Sequence, residues 1–265
     1  MSRLLIRLRA THDSRYQTEY HKDVQGLIYS LLRGSAYDNH SKQGYKFFTF
    51  SNIFPFSNMR KNDLRNLMIS SPNDDFVSYV REQLEYRQDI RIGQMKFKVE
   101  FCKKLDVKLP EYDTFTLITG TPIITRIHRY RYEEAGALEL VNGYNSIYWR
   151  SSHPVDLFIN QLEDNLVKKY NEYHHRLEDD EIEERSPVFY RCKFLKQIAT
   201  KVSAGIGLQK ATVIGTNWQF LLNGASELVR FALDTGLGEL NSLGFGFMNV
   251  KRAEVGRRPQ CNINN

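Results

Sequence analysis

Cysteine is scarce in this 265-residue chain, and Cys102, Cys192 and Cys261 show no paired spacing. That excludes a zinc ribbon and a disulfide framework, and it fits a reducing cytoplasm. No apolar run reaches the roughly 18 residues a membrane helix needs, so no span is expected. The opening Met1-Ser-Arg-Leu-Leu-Ile-Arg-Leu-Arg9 is too short and too alternating for a signal peptide. No His, Cys, Asp or Glu cluster has metal-ligand spacing, and the adjacent His174 and His175 diverge on a helix. There is no Gly-x-Ser-x-Gly elbow and no evident carboxylate pair. Metal chemistry and acyl transfer therefore lack their residues, and no cofactor is expected.

What is present is a real core and a basic surface. Hydrophobic residues make up 41%, charged residues 26%, and the formal net charge is +6. A basic balance favours an acidic partner such as nucleic acid. The 15 Tyr and 16 Phe serve mostly as core, although aromatics also stack on unpaired bases.

Glycine concentrates near the end. Four of the eleven residues from Gly236 to Gly246 are glycine, as two Gly-x-Gly pairs around Glu239-Leu-Asn-Ser242. A helical run from Ala225 precedes them and a strand-like run, Phe247 to Arg252, follows. Glycine admits backbone angles and close approaches that other residues refuse. Exposed amides in such a loop can form an anion site, with Asn241 and Ser242 as added donors. The alternative is a helix C-cap followed by a tight turn. It is not a P-loop, because no Gly-Lys-Ser/Thr follows, and not a dinucleotide fingerprint, because the order is helix to strand.

The remaining elements follow periodicity. Leu4, Ile6 and Leu8 alternate as a strand. His21 to Arg33 has helical spacing and stops at Gly34. Lys46 to Phe54 and Leu64 to Ser70 are strand-like, Phe76 to Tyr86 is helical, and Ile90 to Phe101 alternates as one long strand. This is β-α-β-β-α-β, the ferredoxin-like order. Lys104 to Asp113 is the linker candidate, dividing a domain at 1–108 from one at 109–265. The order then recurs: Phe115 to Ile127 as a strand interrupted by Gly120 and Pro122, a helix from Pro154 to about Arg176, strands over Val188–Lys201 and Lys210–Leu222, the Ala225 helix, and the last strand. Tyr144 to Arg150 reads as a short strand in an insertion. The acidic run Glu178 to Glu184 reads as a solvated loop, and the tail from Arg257 as frayed. The fold class is α+β, with two tandem ferredoxin-like domains.

One arrangement carries chemistry. His40 stands in a polar loop with Lys42 and Lys46 close by. A ring that titrates near neutral pH suits proton transfer. RNA offers a metal-free reaction for such a group: the 2′-OH attacks its own phosphate and the 5′-oxygen leaves. His12 and His21, flanking the first helix, compete with His40; His128 and His153 read as structural.

Three features together resemble the CRISPR-associated endoribonucleases that cut precursor CRISPR RNA within each repeat. They are Leu4-Ile-Arg-Leu followed by a helix with Gln25-Gly-Leu-Ile-Tyr29; His40, then Lys46-Phe-Phe-Thr-Phe-Ser; and the terminal loop Gly236 to Gly246. The resemblance implies metal-independent cleavage leaving a 2′,3′-cyclic phosphate or 3′-phosphate and a 5′-OH. It implies His40 as acid/base, Lys46 (or Lys42) as the cation on the transition state, and Tyr29 as a catalytic tyrosine. Gly236, Gly238, Gly244 and Gly246, with Asn241, Ser242 and Lys42, become RNA-contacting residues. The implied partners are CRISPR repeat RNA, a CRISPR effector complex and a second copy of the chain. Arg60, Lys61, Lys193, Lys196, Lys201, Lys210, Lys251 and Arg252 are candidate phosphate contacts. Two other readings stand beside this one: a non-catalytic RNA-binding subunit of an effector complex, and an unrelated basic ferredoxin-like RNA binder. The aromatic signature of an RNA-recognition motif is absent from any identifiable strand, which lowers the latter.

Overall fold

The computed structural model describes residues 2–38, 44–109, 114–174, 188–189, 191–203, 210–223 and 226–251. His40, Lys42, His175, the acidic run 178–184, Arg252 and the tail from Arg257 lie outside the described residues.

Alternation builds the first sheet. In β1 (Ser2–Ala10), Leu4, Ile6, Leu8 and Ala10 are buried, as period two requires of a half-covered strand. It pairs antiparallel with β3 (Leu64–Ser71) on one side and β5 (Met95–Asp106) on the other. The short β2 (Thr49–Phe50) and β4 (Asp89–Ile92) form the edges, giving the order β2-β3-β1-β5-β4. Helices α1 (His21–Leu32) and α2 (Asp74–Arg87) cover one face, with Val24, Ile28, Val77 and Val80 fully buried. The Asn73 side chain caps α2 by accepting from the Phe76 amide at 2.9 Å, satisfying one of the helix's otherwise orphaned donors. With the β4 edge set aside, this is the ferredoxin-like arrangement.

The second sheet repeats it in the order β10-β11-β6-β12. Its strands are β6 (Thr114–Thr119), β10 (Arg191–Ser203), β11 (Lys210–Asn223) and β12 (Met248–Lys251), with β7 (Ile123–Ile124) pairing β11. Helices α4 (Val155–His174) and α5 (Glu227–Thr235) fill the crossover positions. The two ferredoxin-like folds have separate apolar cores, one drawn from Leu4 to Val99 and the other from Leu109 to Met248.

Several expectations needed correction. Ile90–Phe101 is two strands, because Gly93, at φ 61°, turns the chain into a β4–β5 hairpin. β5 continues to Asp106, so the proposed linker begins as strand. Of Lys46–Phe54 only Thr49–Phe50 is strand; Phe47, at φ 44°, turns its ring away onto Tyr173 and Phe231. The insertion holds more than a strand: β8 (Arg126–His128) pairs β9 (Ser146–Tyr148), and α3 (Arg129–Glu134) lies between them. His128 caps α3 through the Tyr130 amide, and His153 Nδ1 lies 2.8 Å from the Tyr132 hydroxyl.

Candidate active site

The glycine loop is the joint between the two folds. Within it, Asn241 Nδ2 donates to the Leu237 and Phe245 carbonyls, both at 3.0 Å. The Gly244 amide donates to Asn241 O at 2.7 Å, and the Gly246 amide to Pro122 O at 2.8 Å. The amides of Gly236, Leu237, Glu239, Leu243, Phe245 and Phe247 also donate to protein acceptors. These eight N–H groups are therefore committed to holding the chain, and an anion nest built from them is not what the loop forms. The glycines serve close packing. A Cβ on Gly246 would sit 1.9 Å from Leu237 O, and one on Gly244 would sit 2.2 Å from Phe50 Cε2.

One stripe of α1 receives the loop. His21, Gln25 and Tyr29 recur every four residues and so share a face. His21 Nδ1 lies 2.7 Å from Leu243 O, and its ring stacks between Tyr20 and Phe245 at 4.7 and 4.6 Å. Burial pushes the His21 pKa down, partly offset by the Leu243 carbonyl. Gln25 Nε2 donates to Ser242 Oγ at 3.0 Å, and the Tyr29 hydroxyl is also hydrogen-bonded to Ser242. Burial raises the Tyr29 pKa, and Ser242 opposes it. Thr49 Oγ1 donates to Phe245 O at 3.2 Å.

From the first strand, Arg3 reaches across the joint. Its guanidinium donates to Met248 O at 2.5 Å and Leu233 O at 3.1 Å, and it lies 4.5 Å over the Phe247 ring. Burial lowers its pKa to about 10, against the attraction of Asp234.

Beside the loop opens a cleft of about 420 Å³, bordered by Gly44 to Phe48, Arg126, Lys169, Thr235 and Gly238 to Ser242. It brings Lys46, Gly238, Asn241 and Ser242 together, with Tyr29 joined through Ser242. Gly236, Gly244 and Gly246 support the loop behind this wall. His40 and Lys42 lie outside the described residues; the chain that leaves them enters the cleft at Gly44. Arg126 is paired with Glu239 at 2.6 Å. Arg60, Lys61, Lys193, Lys196, Lys201 and Lys251 are exposed, and Lys196 and Lys201 border a second groove beside Tyr16 and His21. Among the described residues no three His, Cys, Asp or Glu side chains gather as a metal-binding group. Nor is any described helix long and apolar enough to cross a membrane.

Sequence reasoning missed Lys169, Arg3 and the bridging role of Gln25. Lys169 did leave a signal, since it follows Leu162 and Leu166 on the apolar face of α4, where lysine is out of place.

Two ferredoxin-like folds joined by a glycine loop that walls a lysine-bordered cleft define the class: a tandem ferredoxin-like protein with its candidate site at the joint. Residues 107–250 match the family model "CRISPR associated protein Cas6, C-terminal". The chain is 30% identical over 254 residues to a CRISPR-associated endoribonuclease Cas6 of Haloferax mediterranei, covering 94% of this chain and 93% of that protein. It is also 30% identical to the CRISPR-associated endoribonuclease Cas6 2 of Methanocaldococcus jannaschii, over 93% and 98% of the two chains. A solved structure described as an RAMP protein binding different RNA substrates shares the fold with a TM-score of 0.73 at 22% identity, over 95% of this chain and all of that one. The chain belongs to the Cas6 family of CRISPR-associated endoribonucleases.

Proposed function

We propose that this protein cuts precursor CRISPR RNA within its repeats, without a metal, using the RNA's own 2′-OH. A base removes the 2′-OH proton as the O2′–P bond forms. The P–O5′ bond breaks, and an acid returns a proton to the 5′-oxygen. The products are a 2′,3′-cyclic phosphate and a 5′-OH, and no water is consumed in this step.

One observation carries the reading: Lys46, Ser242 and the glycine loop border a single cleft, and Tyr29 is hydrogen-bonded to that Ser242. His40 is the acid/base in this reading, brought in by the segment that reaches the cleft at Gly44. Lys46 supplies positive charge where the phosphorane develops it, as preorganised cations do in a partly desolvated site. Tyr29 orients the reacting group through Ser242. Gly238, Asn241 and Ser242 shape the wall against which the RNA backbone lies, with Gly236, Gly244 and Gly246 holding that wall in place. Lys42 adds a phosphate contact from the same segment as His40.

The same reading divides the chain near residue 108, places it in the cytoplasm, and allows the product to stay bound within an effector complex or a homodimer. The test is cleavage of end-labelled repeat RNA in excess EDTA by wild type, His40→Ala and Lys46→Ala. Loss of the acid/base lowers the rate by about 10²–10⁴ while binding persists. Cutting by His40→Ala at the wild-type rate removes His40 from the mechanism. Binding by wild type without cutting favours the non-catalytic subunit.

A further inference from the structure

Lys169 is 1% exposed, yet its side chain ends in a cation. Its Nζ donates to Gly236 O at 2.6 Å and Asn241 Oδ1 at 3.0 Å, with Gly238 O at 3.4 Å. All three acceptors are neutral and all belong to the glycine loop. Among the described residues no carboxylate lies within ion-pair distance of it. The described charged and titratable groups around the cleft do not supply one. Lys46 adds like charge, and Glu239 is taken by Arg126. Glu172, further along α4, accepts from the Tyr45 amide at 3.1 Å. Burial raises the pKa of the Tyr45 and Tyr29 hydroxyls. Asp234, on α5, faces Arg3.

A desolvated ammonium with no counter-charge is costly, and a buried group responds by acquiring an anion or losing its proton. The cleft opens beside this site, with Lys169 among its bordering residues. A polyanion seated there lies against the loop whose carbonyls and amide Lys169 grips.

We propose that Lys169 is a positioning residue whose counter-charge is an RNA phosphate seated in the cleft, so that backbone binding and the protonation of Lys169 are coupled through the glycine loop. The inference rests on the RNA-cleaving reading above. Burial alone brings the free protein's Lys169 to about 7, well below the ordinary lysine value. A phosphate raises it again. RNA binding then draws a proton above pH 7, and affinity falls as pH rises, by about tenfold per pH unit where the coupling is complete.

The experiment is calorimetric titration of a repeat RNA with a 2′-deoxy at the cut site, which binds without being cut. It is run between pH 7 and 9 in two buffers of different ionisation enthalpy, so that proton uptake is read directly. Wild type is expected to take up a substantial fraction of a proton, and His40→Ala to keep that uptake. Lys169→Met is expected to lose both the uptake and the pH slope. If Lys169→Met fails to fold, wild type alone decides the matter: replacing the phosphates around the cut site one at a time by neutral methylphosphonates abolishes the uptake at one linkage. Uptake that is absent in wild type, unchanged in Lys169→Met, lost with His40→Ala, or insensitive to every methylphosphonate overturns the proposal. Binding and cutting without uptake sinks this inference alone, whereas failure to bind the repeat at all sinks the function with it.

Discussion

Gln25 and Ser242 are 217 positions apart, yet the Gln25 amide donates to the Ser242 hydroxyl across 3.0 Å. That bond fastens the last loop of the chain to its first helix, and Tyr29, one turn further along, shares the same hydroxyl. Ser242→Ala is expected to cost only about 0.5–1.5 kcal/mol of stability, the net worth of an ordinary hydrogen bond. Its effect on cleavage is larger, because the Tyr29 hydroxyl loses its anchor. Single-turnover rates of Ser242→Ala, Tyr29→Phe and the double variant test this. A double variant no slower than the slower single shows one coupled unit; full additivity of the two defects separates them.

Gly244 faces Phe50 with no room for a side chain. Its φ of 79° and a would-be Cβ contact of 2.2 Å make Gly244→Ala strained and overpacked together. The expected loss is on the order of 2–4 kcal/mol. Chemical denaturation of Gly244→Ala, with and without Phe50→Ala, checks the cause. Partial relief in the pair supports the clash; a loss in Gly244→Ala unchanged by removing the ring assigns it to backbone strain alone.

Arg3 joins the first strand to the far end of the second fold by donating to Met248 and Leu233 carbonyls. Arg3→Met leaves those buried carbonyls without their donor and Asp234 without its cation. A loss of about 3–5 kcal/mol is expected, as when one partner of a buried charged contact is removed. Urea unfolding reads it directly, and a change below about 1 kcal/mol contradicts the role.

Two buried groups give opposite pH signatures. Burial lifts Asp234 to about 7, above the ordinary 3.8, despite Arg3. The folded protein therefore keeps a proton that the unfolded chain has released. Stability from this group is full below about pH 4 and is lost as pH rises through 7. Lys169 sits at about 7 instead of 10.5. There the unfolded chain holds the extra proton, so stability from this group is present above 10.5 and is lost as pH falls through 7. Thermal midpoints across pH 4–10 should lose their fall between pH 4 and 7, as pH rises, in Asp234→Asn, and their rise above pH 7 in Lys169→Met. Unchanged profiles in both variants contradict the assignment.

The ferredoxin-like order was legible because it is written in local periodicity. Leu4, Ile6 and Leu8 face one core at period two, and Val24, Ile28 and Leu32 face it at helical spacing. The doubled Gly-x-Gly was legible as a place of unusual backbone angles or close approach; that the approach is to Phe50 and to the Leu237 carbonyl was not. What the loop's amides do was not legible, because three of them, on Glu239, Gly246 and Phe247, donate to Ile124, Pro122 and Thr121, far earlier in the chain, and the others close back on the loop and the helix before it. The Gly93 turn was missed although the alternation breaks there: Ile90 and Ile92 hold the even positions and Met95, Phe97 and Val99 the odd ones, and reading all of them as one apolar strand passed over the change of parity at Gly93-Gln94. Arg3 falls on the opposite face of β1 from Leu4, Ile6 and Leu8, where alternation alone assigns it to solvent. Its burial comes from the second fold, which no pattern within β1 encodes.

In the proposed mechanism the RNA's own 2′-OH is the nucleophile in the cleft beside Lys46. The most direct test is a repeat RNA carrying a single 2′-deoxy at the cut site, incubated with wild-type protein in excess EDTA beside the all-ribo substrate. The expected result is one cut in the ribo strand, with a 2′,3′-cyclic phosphate on the upstream product, and no cut at that linkage in the deoxy strand, which still binds with similar affinity. Cleavage of the deoxy strand at the same linkage, or cleavage of the ribo strand only when a metal is restored, contradicts it.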